Sequence, residues 1–312
     1  MNIRTQTSGK HKIIVICGPT GTGKTSTAIQ LAQEFNGEII SADSMQIYRY
    51  MDIGTAKATR DEQMRVPHHL VDIVEPDQPF DAAKFSQMAE EKIADLIQAE
   101  KVPFVVGGTG LYIKALVHGL FQSDPSNSEI REKLKRLASE KGIESLYYRL
   151  ETCDPEAAER IHPKDSIRII RALEIFEQTG NPMSRIHDGH RFAEQRFDAL
   201  KIGLSVPRDV LYDRINRRVD EMIQAGFLKE VRFLLNQGYG EDHKSMQSIG
   251  YRHMAGYING RLTWGEAVTT MKRDTRRYAK RQMTWFRADT EINWFEPSRP
   301  DSIRDAIFDF FS

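Results

Sequence analysis

Eight residues, Gly18-Pro19-Thr20-Gly21-Thr22-Gly23-Lys24-Thr25, fit G-x-x-x-x-G-K-[ST] at every fixed position and directly follow the apolar run at 13–17. A helix-period pattern comes next, with Ala28, Ile29, Leu31, Ala32 and Phe35 as its apolar side. The order strand, glycine-rich turn, helix predicts a parallel α/β sheet with an anion site at a strand's carboxyl end. The glycines let backbone N–H groups turn inward and the helix N-terminus adds positive potential. Lys24 brings a full charge, and the Thr25 hydroxyl suits Mg²⁺. The pattern therefore predicts a diphosphate cradle, without saying whose phosphates it holds. A glycine turn that binds nothing would leave the Lys24-Thr25 pair without a reason.

Six short apolar runs have strand character: 13–17, 38–41, 70–74, 104–106, 200–204 and 292–295. Helix-period segments alternate with most of them. Residues 81–100 carry Phe85, Met88, Ile93, Leu96 and Ile97 on one side, and Pro103 opens the next strand. Residues 208–237 read as one or two amphipathic helices with Leu211, Ile215, Met222, Phe227, Val231 and Leu234 as the stripe. The alternation predicts a P-loop NTPase-like α/β fold, a mostly parallel sheet with helices on both faces.

The texture changes near Asp124. Asp124-Pro125-Ser126-Asn127-Ser128 is a helix-start signal, and Ser126 with Glu129 resembles a capping box. Charged, helix-forming sequence then runs to Thr179, where Gly180-Asn181-Pro182 stops it. Residues 123–197 are thus expected to form an all-helical insertion domain in a core made of 1–122 and 198–312.

Forty-four Lys and Arg balance forty-four Asp and Glu, so overall charge favours no partner. Two isolated cysteines, Cys17 and Cys153, give neither a disulfide framework nor zinc spacing. The nine histidines show no metal-ligand spacing and are expected to be structural or surface residues. No apolar run is long enough to span a membrane, and the N-terminus lacks an apolar signal core. A cytoplasmic protein with no membrane partner is expected.

Local features carry more chemistry. Asp43 ends the second strand, near the phosphate loop, where it could serve as a base, a Mg²⁺ neighbour or a nucleotide contact; it could equally cap a following helix. The fourth strand ends in Gly107-Gly108-Thr109-Gly110, where an ATPase or GTPase would place a Mg²⁺-binding Asp. Those glycines either admit something bulky close to the backbone or make a tight turn. The missing carboxylate argues against ordinary ATP hydrolysis, and no Asn-Lys-x-Asp sequence argues for a GTPase. Residues 272–287 place Arg273, Arg277 and Arg281 on one helical face beside Lys272, Arg276 and Lys280, interleaved with Tyr278, Trp285 and Phe286. Such a helix suits RNA or another anion, although most charge runs are solvated faces. Arg214 and Arg218 share a helical face and could reach a diphosphate, or pair with Asp213, Asp220 or Glu221.

Four blocks taken together are more specific than the phosphate loop alone. They are residues 18–25, Ser41-Ala42-Asp43-Ser44-Met45-Gln46-Ile47-Tyr48-Arg49, Gly107-Gly108-Thr109-Gly110-Leu111-Tyr112, and Gln247-Ser248-Ile249-Gly250-Tyr251-Arg252. A fifth, Lys280-Arg281-Gln282-Met283-Thr284-Trp285-Phe286-Arg287, agrees. In this order and spacing the chain resembles the bacterial tRNA dimethylallyltransferases along nearly its whole length. The loop departs slightly, with Gly21-Thr22 where Ala-Ser is common, and both versions keep the turn. Two cysteines cannot build the zinc finger that similar eukaryotic enzymes often add.

The resemblance implies transfer of a dimethylallyl group from dimethylallyl diphosphate to N6 of the adenine at tRNA position 37. The phosphate loop would then hold a leaving diphosphate, which explains the absent strand-end carboxylate. It implies that Gly18, Pro19, Thr20, Gly21, Thr22, Gly23, Lys24, Thr25 and Arg218 bind diphosphate, with Thr20 near the reacting centre and Mg²⁺ on Thr25. Asp43 would accept the N6 proton, and Thr109 would be a second contact to the amine or flipped base. Ser44, Met45 and Gln46 would line the base pocket. Arg131, Arg168, Arg171, Gln247, Ser248, Ile249, Gly250, Tyr251 and Arg252 would touch tRNA, joined by Arg273, Arg277 and Arg281 from the basic helix. A monomer is expected. Three rivals stay open: the same chemistry on a free adenine nucleotide, a small-molecule kinase, and an RNA-binding module with a vestigial phosphate loop.

Overall fold

The computed structural model describes residues 6–7, 9–119, 128–185 and 195–312. The expected capping box at Ser126 lies outside them, as do His187 and His190. The chain divides into two compact units, one of Met1–Val117 with Arg196–Ser312 and one of His118–Gln195.

The first unit is built on a parallel sheet. Its strands are β1 (Gln6–Thr7), β2 (Lys10–Cys17), β3 (Gly37–Ser41), β4 (His68–His69), β5 (Val102–Gly107), β6 (Asp198–Leu204) and β7 (Asn293–Phe295). The order is β4-β3-β5-β2-β6-β7, all parallel, and β1 pairs antiparallel with the start of β2. Ile13, Ile14, Val15 and Ile16 are all fully buried, so the central strand has no solvent face and its continuous apolar run is what the position requires. Ile14, Ile16, Ile39, Phe104 and Ile202 meet the helices Lys24–Glu34 and Pro300–Phe311 through Ala28, Ile29, Leu31, Ile303 and Ile307. On the opposite face Ile13, Val15, Ile40 and Val105 are buried as well. The expected two-sided α/β architecture is what forms.

One expected strand does not form. Residues 70–74 make a single bridge, Val74 to Tyr48, while the edge strand is His68–His69, paired with Ile39 and Ile40. Leu70 and Asp72 have φ of 59° and 55°, which breaks an extended run. The bend is held by charge: Lys57 Nζ donates to Asp72 at 2.6 Å, to Asp52 at 2.5 Å and to the Tyr48 carbonyl at 2.9 Å. Residues 208–237 resolve into two helices, Arg208–Gln224 and Phe227–Asn236, separated by Gly226 at φ 101°.

The second unit contains the helices Ser128–Lys141, Ile143–Cys153, Pro155–Arg160 and Ser166–Thr179, packed on Leu134, Leu146, Leu150, Ile169 and Leu173. Gly180, at φ 70°, ends the last of these, as the sequence predicts. Asp154 caps the helix Pro155–Arg160 by accepting from the Ala157 N–H and also takes both the N–H and the hydroxyl of Ser184. Glu174 is fully buried, and its Oε2 receives Arg131 and Arg171, both at 2.9 Å.

Candidate active site

Strands β2, β3 and β5 end side by side, so their following loops share one edge of the sheet. The loop after β2 wraps tightly. A Cβ on Gly18, whose φ is 139°, would stand 2.6 Å from the Leu204 carbonyl, so only glycine fits there. Thr22 is fully buried and its hydroxyl donates to the Pro19 carbonyl at 2.8 Å; Lys24 Nζ donates to the same carbonyl at 2.9 Å. The Thr20 N–H is already engaged, donating to Gln282 Oε1 at 3.0 Å.

A cavity of about 380 Å³ opens over these loops. Thr20, Lys24, Thr25 and Arg218 line one part of it, with Asp43, Ser44, Met45 and Gln46 beside them. Gln247, Ser248, Ile249, Tyr251 and Arg252 also reach its wall, as does Arg281. Five separate stretches of sequence thus meet in one hollow. Gly18, Pro19, Gly21, Thr22 and Gly23 form the loop behind it, and Arg214 does not reach the wall.

Burial lowers the Lys24 pKa to about 8; Asp43 opposes the shift and Arg218 reinforces it. Burial also lowers the Arg218 pKa, and again Asp43 opposes. Two cations lining the same hollow describe a site for a multiply charged anion. Binding such an anion favours protonated Lys24. Above about pH 8 the free protein must take up a proton to bind. We therefore expect affinity for inorganic pyrophosphate, corrected for pyrophosphate's own protonation, to be flat below pH 8 and to fall about tenfold per unit above it. Calorimetric titration across pH 6.5–9.5 checks this, and a profile without a break near 8 would contradict it.

Asp43 caps no helix. Its Oδ1 accepts the Met45 N–H at 2.9 Å in a tight turn, and its second oxygen has no hydrogen-bond partner among the described residues. Thr109 is not in the cavity wall: its Oγ1 accepts the Ser44 N–H at 3.0 Å, and its own N–H donates to the Ala42 carbonyl. It sets the shape of the Asp43 loop.

The strand-end glycines have a different reason from a turn. None has positive φ. A Cβ on Gly107 would lie 2.0 Å from the Ala42 carbonyl oxygen, on Gly108 2.3 Å from Gln282 Nε2, and on Gly110 2.1 Å from the Trp285 indole nitrogen. What approaches the backbone is the chain itself: the backbone after β3 at Gly107, and the helix Trp264–Arg287 at Gly108 and Gly110.

That helix is less bare than its sequence suggests. Lys272 pairs with Asp220 at 2.6 Å, and Arg276 donates to Asn216. Asp274 collects Arg252, Arg273 and His253; burial works to raise its pKa, but these hydrogen bonds hold it at about 2. Arg273, Arg277 and Arg281 stay exposed. In the insertion, Arg168 is the most exposed of the three singled-out arginines, since Arg131 and Arg171 are drawn to Glu174.

Sequence reasoning gave no role to Thr275 or Glu230 and counted Tyr278 only among the aromatics of the basic helix. Tyr278 and Thr275 line the wall from the basic helix, and burial, then Asp43, raises the Tyr278 pKa. Glu230 builds the wall at Gly54 from behind: its carboxylate accepts the N–H groups of Asp52, Ile53 and Gly54 at 3.1, 2.7 and 3.1 Å and the Tyr251 hydroxyl at 2.6 Å. Tyr251 is therefore buried structure, 1% exposed, with Gly250 packed beneath Phe227 and Met271.

For a metal, the described residues hold no cluster of three His, Cys, Asp or Glu. The Thr25 hydroxyl borders the cavity beside Lys24 and has no protein partner among them. One hydroxyl, substrate oxygens and waters suffice for Mg²⁺, so this donor set fits a cation that arrives with a diphosphate. No helix among the described residues is long and apolar enough to cross a membrane.

A family model described as IPP transferase matches residues 46–289. The tRNA dimethylallyltransferase of Desulfosudis oleivorans is 54% identical over 287 residues, covering 92% of this chain and 91% of its own length. The tRNA dimethylallyltransferase 2 of Geotalea uraniireducens is 53% identical over 304 residues, covering 97% and 98%. Among solved structures, the full-length tRNA isopentenylpyrophosphate transferase of Bacillus halodurans superposes with TM-score 0.72 at 42% identity, over 96% of both chains. A eukaryotic dimethylallyltransferase acting on tRNA superposes with TM-score 0.74 at 32% identity, over 88% of this chain and 69% of that one. On the family model and on identity above 50% along almost its whole length, the chain belongs to the IPP transferase family.

Proposed function

We propose that the chain transfers the dimethylallyl group of dimethylallyl diphosphate to N6 of the adenine at position 37 of tRNA and releases diphosphate. The observation that carries this reading is a single cavity shared by the Lys24, Thr25 and Arg218 cluster and by the Asp43–Gln46 turn, with glycine at the end of β5 where a hydrolase would need a carboxylate.

In the reaction the allylic C–O bond breaks and its electron pair leaves on the diphosphate. The N6 lone pair forms the new N–C bond, and the N6 proton passes to Asp43. Lys24 and Arg218 meet charge that grows on the leaving oxygens, so they act more strongly on the transition state than on the substrate. Mg²⁺ held by Thr25 supplies further neutralisation of the diphosphate when bound. Asp43 orients a weakly nucleophilic exocyclic amine and takes its proton as the bond forms. The adenine leaves its stack to reach the cavity, the general requirement for chemistry on a base. Exposed Arg273, Arg277 and Arg281, with Arg252 at the wall, face the RNA backbone, and the helical insertion holds the anticodon stem.

The choice of acceptor separates transfer to tRNA from transfer to a free nucleotide. Allyl-labelled dimethylallyl diphosphate is offered with Mg²⁺ and unmodified tRNA, AMP or ADP. Label on tRNA supports the proposal; label on AMP alone would move the acceptor to a free nucleotide. Separately, Arg273→Gln with Arg277→Gln is expected to reduce the slope of log K for tRNA against log salt by about one to two. A slope equal to the unsubstituted protein's would return those arginines to a solvated face.

A further inference from the structure

Gln282 is 7% exposed on the basic helix, and both ends of its carboxamide are used. Oε1 accepts the Thr20 N–H at 3.0 Å, and Nε2 donates to the Gly108 carbonyl at 2.9 Å. Because one partner is a backbone donor and the other a backbone acceptor, they fix which way the amide points. They belong to different loops, after β2 and after β5. Gly108 is obligatory for this contact, since its Cβ would overlap Nε2. The chain of bonds continues. Thr109 ties the β5 loop to Ser44 and Ala42, on either side of Asp43. The diphosphate loop is thus connected to the Asp43 turn through one buried amide.

We propose that Gln282 is a positioning residue whose carboxamide sets the spacing between the diphosphate loop and the turn that carries Asp43. It thereby sets the approach of the allylic carbon to the acceptor nitrogen. This rests on the prenyl-transfer reading above. The amide suits the task because it donates and accepts from one rigid plane; Glu could only accept, and Met does neither. Positioning matters most in the transition state, where a displacement near 1 Å costs on the order of 100-fold in rate. The bond also takes the Thr20 N–H out of the set of loop amides free to bind the anion, leaving the Thr20 hydroxyl at the cavity wall.

The test uses the full chain carrying Gln282→Met, which keeps length and loses both hydrogen bonds, and Gln282→Glu, which keeps only the acceptor. Kinetics are expressed per pyrophosphate-binding site counted by calorimetry, so misfolded protein does not enter. Amide exchange of the peptide spanning residues 18–25 is followed by mass spectrometry. In Q282M we expect kcat per site to fall about 30-fold or more, both KM values to stay within about threefold, and exchange at the loop to speed up about tenfold. In Q282E we expect loop protection to persist while kcat per site still falls about tenfold or more, because the tie to Gly108 is lost. The proposal is overturned by kcat within about threefold of wild type in both variants, by a loss carried wholly in KM, or by unchanged loop exchange in Q282M. If the wild-type chain transfers no allyl group to any RNA, it is the prenyl-transfer reading that fails, and the exchange data still decide whether Gln282 holds the loop.

Discussion

Asp43→Asn is expected to lower kcat by about 10²–10⁴-fold while leaving the dissociation constant for unmodified tRNA within about threefold. The substitution is chosen for what it keeps. Asn Oδ1 can still accept the Met45 N–H, so the turn that presents residue 43 survives. What it removes is the ability of the unpaired carboxylate oxygen to take a proton. Asp43→Ala would remove the turn as well and is expected to be at least as damaging to turnover. A collapse of tRNA affinity with normal turnover at saturating RNA would make Asp43 an anchor for the base and not the proton acceptor.

Lys24→Met is expected to weaken binding of inorganic pyrophosphate by about 10- to 100-fold, the usual loss for one charge-assisted hydrogen bond of ~1.5–3 kcal/mol. It should lower kcat further still, because the leaving diphosphate carries more charge in the transition state than in the ground state. Stability should move the other way. Burial lowers the Lys24 pKa to about 8, so at neutral pH the folded chain holds a proton that the unfolded chain holds more readily. That difference costs stability at pH values below about 8, and an uncharged side chain removes the cost. We expect the Tm of Lys24→Met to equal or exceed that of the wild type, a conflict between function and stability that is common at binding sites. Calorimetry reads both quantities. Unchanged pyrophosphate affinity would remove Lys24 from the anion site.

Much of the fold was legible in the sequence because its signals are local. The run at 13–17 has no polar residue, and a strand buried on both faces needs none. Gly180 ends a helix for a conformational reason that any single position can display. The phosphate loop states its spacing outright. Residues 70–74 misled because their apolar content matches a strand while Lys57, reaching from a distant turn, bends the backbone through Asp72.

The candidate site was legible in its charged members and not in their supports. Lys24 declares itself by type and place, whereas spacing left Asp43 and Arg218 with alternatives and only the family resemblance gave them roles. Gln282, an uncharged residue inside a run of cations, and Glu230, an acidic residue on an amphipathic helix, act through backbone groups more than 150 positions away in sequence. No periodicity encodes such contacts. The glycines at 107, 108 and 110 were the available signal: they announced a close approach, and only the folded chain identifies what approaches.

A single-turnover reaction with unmodified anticodon stem-loop, Mg²⁺ and dimethylallyl diphosphate labelled separately in the allyl group and in the terminal phosphate follows both halves of the substrate at once. Prenyl transfer predicts that the allyl label enters the RNA on one adenine beside the anticodon, while the phosphate label leaves in step with it as intact pyrophosphate. Phosphate label recovered as orthophosphate or on an acceptor, with no allyl label in RNA, would contradict it and make the loop a site of phosphoryl transfer.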